Sequence, residues 1–259
     1  MLSRILEHPL TRGMDLNDPA TTLVRLQIIR EKAFLRAIHD EWYSFLAEVT
    51  PSPDEINLPA LELGSGAGYL DEVIPNLITS ELFATPQLDL VADATRLPIR
   101  DASLRAVLMV DVLHHIPDVG KFFDAASRTV VTGGVMAMVE PWATRWSTWV
   151  YQNLHHEPFR PDSEEWSFAT TGPLSGANGA IPWMVFERDR ALFEQKYPQW
   201  RIEGVEPFMP FRYLMSGGVS MRSLMPGFTI PFWRAVERTI EGKRGRAGMF
   251  ARIVARRVG

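Results

Sequence analysis

The 259 residues carry 31 acidic against 27 basic side chains, a net charge of −4, and 46% of them are apolar. That balance excludes the strongly basic domain that nucleic-acid binding usually displays, and the absence of cysteine excludes disulfides and thiolate metal centres. The length fits one large domain, or one domain with a substantial insertion.

No run approaches the ~20 apolar residues of a spanning helix. The first nine residues also lack an apolar core long enough for a signal peptide. A soluble, cytoplasmic chain without an integral membrane segment is expected. Asp18-Pro19 pairs a good N-cap with proline at the first helical position. The spacing of Leu23, Leu26, Ile29, Phe34, Ile38, Trp42 and Phe45 then predicts one helix to about Val49, stopped by Thr50-Pro51-Ser52-Pro53. Residues 1–50 read as a helical cap and 51–259 as the main domain. Arg30 and Lys32 are candidates to face an anionic ligand.

Leu58, Ala60, Leu61 and Leu63 make a short apolar run, a strand buried on both faces. It breaks into Gly64-Ser65-Gly66-Ala67-Gly68, after which Tyr69 to Leu77 is expected as a helix. Alternating glycines let the backbone turn tightly and bring its N–H groups against a ligand. The helix would add its positive N-terminus there. Glu62 stands two residues before the first glycine. The resulting Glu-x-Gly-x-Gly-x-Gly differs from the Gly-x-Gly-x-x-Gly of dinucleotide sites, which disfavours a pyrophosphate ligand.

Leu77 to Glu81 reads as a second strand ending in a carboxylate, and Val91-Ala92-Asp93 as a third. Ala106 to Val110 is a fourth, running into Asp111-Val112-Leu113-His114-His115. Helix Val119–Val131, the turn Thr132-Gly133-Gly134 and strand Val135–Val139 follow. Strand–helix alternation of this kind predicts a parallel sheet with helices on both faces and a ligand at the carboxyl ends of the strands. Glu62, Gly64, Glu81, Asp93, Asp111 and Glu140 all fall at such ends or just beyond.

Seven of the eight tryptophans lie at or after Trp142. An amphipathic segment (Trp142, Trp146, Trp149, Val150) leads to His155-His156-Glu157, then to a loop rich in Gly, Ser, Asn and Pro at 170–182. A helix at Phe186–Tyr197, a strand at Arg201–Glu206, a helix at Pro231–Glu241 and a strand at Phe250–Ala255 complete the pattern. Inserts at about 141–185 and 207–227 are expected to lie over the ligand as a cap. After Glu241 come Lys243, Arg244, Arg246, Arg252, Arg256 and Arg257 without an acid, read as a solvated basic tail.

The Glu62–Gly68 pattern resembles motif I of the class I S-adenosylmethionine-dependent methyltransferases. Val91–Pro98 and Asp111–Asp118 are similar to later motifs of the small-molecule group called type 11. The resemblance implies an α/β fold: a doubly wound, mostly parallel, seven-stranded Rossmann-like sheet with an N-terminal helix and cap insertions. It also implies S-adenosylmethionine as cofactor and a small-molecule acceptor. By the same resemblance Glu62, Gly64, Ser65, Gly66 and Gly68 surround the cofactor. Glu81 takes the ribose diol, Asp93 and the Ala94 N–H meet adenine, and Asp111 lies on the methionine side.

Methyl transfer from a sulfonium is an in-line displacement, and positioning alone supplies up to ~7–11 kcal/mol of the barrier reduction. A hydroxyl acceptor also gains from a general base, about 10²–10⁴-fold. O-methylation is therefore the expectation, with His155 or His156 as base and Glu157 beside them. His114 and His115 read as structural. No metal site is expected, because adjacent histidines rarely converge on one ion. Two alternatives stay open: a regulatory or scaffold protein that binds the cofactor without turnover, and a dehydrogenase, which the glycine spacing disfavours.

Overall fold

The computed structural model describes residues 8–10, 20–85, 88–155, 157–170, 176–241 and 247–259. The Asp18-Pro19 helix start, His156, part of the 170–182 loop, and Lys243, Arg244 and Arg246 lie outside the described residues. Among the described residues two helices come first, α1 (Ala20–Glu31) and α2 (Ala33–Val49). The single helix expected here is broken at Lys32, whose backbone is extended (φ −81°, ψ 92°). The break serves a tertiary contact: Lys32 Nζ donates to the carbonyls of Gly218 and Met221. Lys32 is thereby a tie between the helices and the 212–221 segment, and Arg30 instead pairs with Glu72 at the surface. Neither is positioned for an anionic ligand.

The sheet comprises β1 (Ala60–Leu63), β2 (Leu77–Glu81), β3 (Leu90–Val91), β4 (Leu104–Val110), β5 (Val130–Pro141), β6 (Trp200–Phe208) and β7 (Phe250–Arg257). Between them lie α3 (Val119–Thr129), α4 (Arg145–Leu154), α5 (Ile181–Trp183), a π-helical turn at Met184–Arg188, α6 (Arg190–Lys196), α7 (Arg212–Ser216) and α8 (Ile230–Glu241). The strand order is β3-β2-β1-β4-β5-β7-β6. Strands β1 to β5 pair in parallel, and β7 runs antiparallel to both β5 and β6. This is the doubly wound, mostly parallel seven-stranded sheet that the motifs imply. The order reverses between β1 and β4, the place where open α/β sheets leave a crevice at their carboxyl ends. Among the described residues no helix is long and apolar enough to cross a membrane.

Three local expectations change. The helix after the glycines shrinks to one 3₁₀ turn, Leu70–Glu72. Pro75 cannot continue a helix, and left-handed Asn76 (φ 53°) turns the chain into β2. Strand β5 starts at Val130 rather than Val135, so the Gly133-Gly134 pair is an irregularity inside it, matched by a register shift between Leu104 and Ala106. The helix expected from Phe186 starts earlier, at Ile181, and passes through the π-helical turn.

The core follows from the burial pattern. Helix α3 buries Val119, Phe122, Phe123 and Ala126. Phe123 sits among Phe186, Phe193 and Tyr197 at ring separations of 6.0, 5.0 and 5.2 Å. Helix α2 buries Phe34, Leu35, Ile38, Trp42 and Leu46 along one face. At the opposite end of the sheet from the crevice, fully buried Arg105 donates to the carbonyls of Pro51, Leu58, Pro75 and Asn76.

That one guanidinium gathers four loop carbonyls, from half-buried Pro51 and Leu58 and from exposed Pro75 and Asn76. Arg105→Leu should therefore cost about 2 kcal/mol of stability, since each hydrogen bond contributes about 0.5–1.5 kcal/mol and water can take over part of the set. Urea denaturation checks this, and a loss under about 1 kcal/mol would show that those carbonyls find other partners.

Candidate active site

Strand β1 is buried throughout and ends at Leu63, where the chain must leave the sheet in a tight turn. Gly64 takes φ +64° and Gly66 φ +48°, conformations in which a side chain is strained. A Cβ on Gly64 would stand 2.5 Å from Val112 Cγ2, so only glycine lets this turn pack against the segment after β4. The turn is bolted to β2: Ser65 N donates to Ser80 O (2.9 Å), Ser80 N to Ser65 Oγ (3.0 Å) and Ser80 Oγ to Glu62 O (2.7 Å). In place of the missing helix, α2 closes the loop from above. Its Tyr43 hydroxyl accepts from Tyr69 N (3.4 Å), and Tyr69 donates its own hydroxyl to Asp40 Oδ1 (2.8 Å).

The ends of β4 and β5 are joined by Glu140, which is fully buried. Its Oε1 accepts from Val112 N (2.8 Å) and Leu113 N (2.7 Å), and its Oε2 lies 2.8 Å from His114 Nδ1. The clasp holds Asp111 in the left-handed region (φ 61°) and directs His114 Nε2 toward Glu157 Oε2 (3.6 Å) and Asp111 Oδ1 (3.9 Å). His115 Nδ1 lies 3.3 Å from Gly176 O, and its Nε2 is 3.8 Å from Glu157 Oε1. Burial lowers the His115 imidazole to about 4, with the charge of His114 adding to the effect. Burial alone would lower His114 too, but contact with Glu140 and Glu157 and the charge of Asp111 raise it well above the usual range. Burial alone would raise Glu157, yet His114, with His115 and His155, holds it down at about 2.

One continuous cavity of about 770 Å³ spans these features. All nine residues expected at the cofactor line it: Glu62, Gly64, Ser65, Gly66, Gly68, Glu81, Asp93, Ala94 and Asp111. Glu81 Oε2 accepts from Leu82 N (3.1 Å), and Asp93 Oδ1 accepts from Thr95 N and Thr95 Oγ1 (2.8 and 2.7 Å). The other half of the cavity is aromatic, walled by Trp42 and Tyr43 of α2, Tyr151 of α4, Phe159, Tyr213 of α7 and Phe250 of β7. Among the described lysines and arginines, Arg25 of α1 lines it, in place of Arg30 or Lys32.

His155 caps the C-terminus of α4, exposed at the cavity edge. Its Nδ1 accepts from Glu157 N (3.3 Å) and lies 3.9 Å from Glu157 Oε2. His156, the other base candidate, lies outside the described residues. Sequence reasoning missed the convergence of His114, His115 and Glu157 under Glu140. One signal was available: a glutamate ending a continuous apolar strand must find partners once buried.

The donor set has a definite chemical preference. Four carboxylates and a turn of backbone N–H groups suit a ligand with cationic centres and hydroxyls, and they repel a polyphosphate. Burial, helped by the charges of Asp71 and Glu81 and opposed by Ser65, pushes Glu62 up to about 8; burial also raises Glu81. A cation bound beside them relieves that penalty.

The family described as Methyltransferase domain, type 11, matches residues 61–138. Among solved structures, the chain is similar to the methyltransferase in complex with the Haloferax volcanii Trm112 methyltransferase activator. That match has 13% identity, covers 93% of this chain and 95% of that one, and has a TM-score of 0.54. It is also similar to geranyl diphosphate C-methyltransferase from Streptomyces coelicolor, seen with Mg²⁺, geranyl diphosphate and S-adenosyl-L-homocysteine. There the identity is 15%, the coverage 98% and 90%, and the TM-score 0.52. No curated protein matches the sequence.

The raised Glu62 carboxyl predicts a pH effect on the ligand-free protein. Its folded value of about 8 lies above the unfolded 4.5. Its contribution to stability is thus fully present below pH 4.5 and is lost as pH rises through 8. Glu62→Gln removes the titration. Its urea midpoint should gain on wild type as pH is raised from about 5 to about 9, and a difference independent of pH would mean that Glu62 is not held protonated.

Proposed function

We propose that this chain, a class I S-adenosylmethionine-dependent methyltransferase, methylates a hydroxyl on a small, largely apolar acceptor bound in the aromatic half of the cavity. One observation carries the reading. A single cavity of about 770 Å³ joins the glycine turn and its carboxylates to a wall of aromatic rings, within the size range of ligand pockets, ~300–1,000 Å³. In this reading Gly64, Ser65, Gly66 and Gly68 approach the cofactor with their backbone, beside Glu62. Glu81 binds the ribose hydroxyls, Asp93 and Ala94 the adenine, and Asp111 the methionine portion. The cofactor supplies a methyl group on a sulfonium. The residues from the N-terminal helices, from 141–185 and from 207–227 act as a cap that orients the acceptor and excludes water from the reacting centre.

His155, at the cavity edge with Glu157 behind it, is the group assigned to take the acceptor's proton. Its replacement has a defined consequence: His155→Gln should lower turnover about 10²–10⁴-fold and leave cofactor affinity unchanged. A variant that keeps more than about a third of the wild-type rate assigns the proton elsewhere.

Glu81→Ala tests the cofactor half. Losing two charge-assisted hydrogen bonds should weaken S-adenosylmethionine binding by about 10- to 100-fold in calorimetry. An affinity unchanged within twofold misplaces the ribose contact. The acceptor class is read from S-adenosylhomocysteine release with paired aromatic or terpenoid alcohols and their deoxy analogues. Turnover that survives loss of the hydroxyl overturns O-methylation.

A further inference from the structure

We propose that His114, His115 and Glu157 form a binding site for one divalent cation of the zinc class, with an open coordination position turned toward the acceptor half of the cavity. Two independent features point there. The first is tautomer control. His114 Nδ1 is 2.8 Å from the buried Glu140 carboxylate, and His115 Nδ1 is 3.3 Å from the Gly176 carbonyl. Each acceptor takes the Nδ1 proton in a hydrogen bond, so Nε2 is the nitrogen turned toward a cation, which on binding displaces the proton that His114 otherwise keeps there. Metal-ligating histidines are prepared in this way, with the distal nitrogen donating to a carboxylate or a backbone carbonyl.

The second feature is spacing. Both Nε2 atoms face the same carboxylate, His114 at 3.6 Å from Glu157 Oε2 and His115 at 3.8 Å from Glu157 Oε1. Those separations exceed a hydrogen bond. They run to the two different oxygens of that carboxylate and are a few tenths of an ångström wider than the edges of a tetrahedron, about 3.3–3.5 Å, that metal–ligand bonds of ~2.0–2.2 Å would generate, so the groups close on an ion by a small movement. One ligand atom from each of the three residues lies within 4.8 Å of the others. Two imidazoles and one carboxylate are a donor set that suits zinc and leaves the fourth position open. Asp111 Oδ1, 3.9 Å from His114 Nε2, adds negative charge beside it. Glu157 and His115 both line the cavity, so the open position faces its contents. That the acceptor oxygen occupies this position rests on the methyl-transfer reading; cation binding itself does not.

The test uses the full chain after chelator treatment, titrated with Co²⁺ and Zn²⁺. Tetrahedral Co²⁺ should give an intense visible ligand-field band, and elemental analysis should find about one Zn²⁺ per chain after desalting. His115→Gln and Glu157→Gln should each weaken binding at least about 10-fold, with circular dichroism matching wild type. The pair guards against one variant failing to fold. A Co²⁺ spectrum like that of the aqueous ion, or folded variants that bind as tightly as wild type, would overturn the site. S-adenosylmethionine titrated into the same samples reports on the methyltransferase reading separately, since that reading can fail while the ligand-field band persists.

Discussion

The buried carboxylate of Glu140 is the constraint on which the site depends. It stands near the end of β5, which is buried from Gly134 to Pro141, where an unpaired charge costs several kcal/mol. Both oxygens are used: two backbone N–H groups from the turn after β4, and the imidazole of His114. Because β4 and β5 run parallel, their carboxyl ends lie side by side, and the clasp fixes the turn that one strand makes against the end of the other. Val112, held by that clasp, is the surface against which the Gly64 turn packs. The glycine turn and the His–Glu cluster thus share one anchor.

A second set of constraints comes from the N-terminal helices. A long helix after the glycines would have fixed the loop with its own hydrogen bonds and dipole. With only a 3₁₀ turn there, Tyr43 and Asp40 of α2 hold Tyr69 instead. Glu41, from the same helix, accepts both terminal nitrogens of Arg212 at 2.7 and 3.0 Å and also pairs with Arg234 and Arg252. Arg212 in turn pairs with buried Glu237 of α8. One face of α2 therefore ties the glycine loop, α7, α8 and β7 together. The same helix contributes Trp42, stacked on Tyr213 at 5.9 Å and tilted against Phe250 at 5.1 Å, to the aromatic wall of the cavity.

Much of this was legible from residues alone, for a physical reason. Parallel strands buried on both faces read as apolar runs, and Leu61–Leu63, Leu77–Glu81 and Ala106–Val110 each stop at a carboxylate or a glycine. What was not legible depended on contacts far along the chain. The break at Lys32 answers to carbonyls at Gly218 and Met221, and nothing in the local apolar spacing signals it. Pro75 could have warned against a helix after Tyr69. His114 and His115 are neighbours in sequence, so their convergence on Glu157 is set by the return of the loop at 176–179. There, Asn178 N bonds to His114 O and Gly179 N to Pro158 O.

The electrostatics of the cavity bear on turnover as well as binding. Glu62, Glu81, Asp93, Asp111 and Glu157 line it, against Arg25 among the described lysines and arginines. Glu62 and Asp111 are pushed up to about 8 and about 7, in each case first by burial and then by neighbouring carboxylates. The ligand-free protein is therefore penalised for its own charge. A cationic sulfonium donor relieves that penalty, whereas the thioether left after methyl transfer has lost one positive charge. Charges a few ångströms apart in a low-dielectric site interact by several kcal/mol at most, about 4 at 4 Å with an effective dielectric of 20. Even a fraction of that difference shifts the balance between donor and product. In the proposed placement of the cofactor, the acidic wall thus favours the charged donor over its neutral product, which would oppose product inhibition without any change in the shape of the cavity.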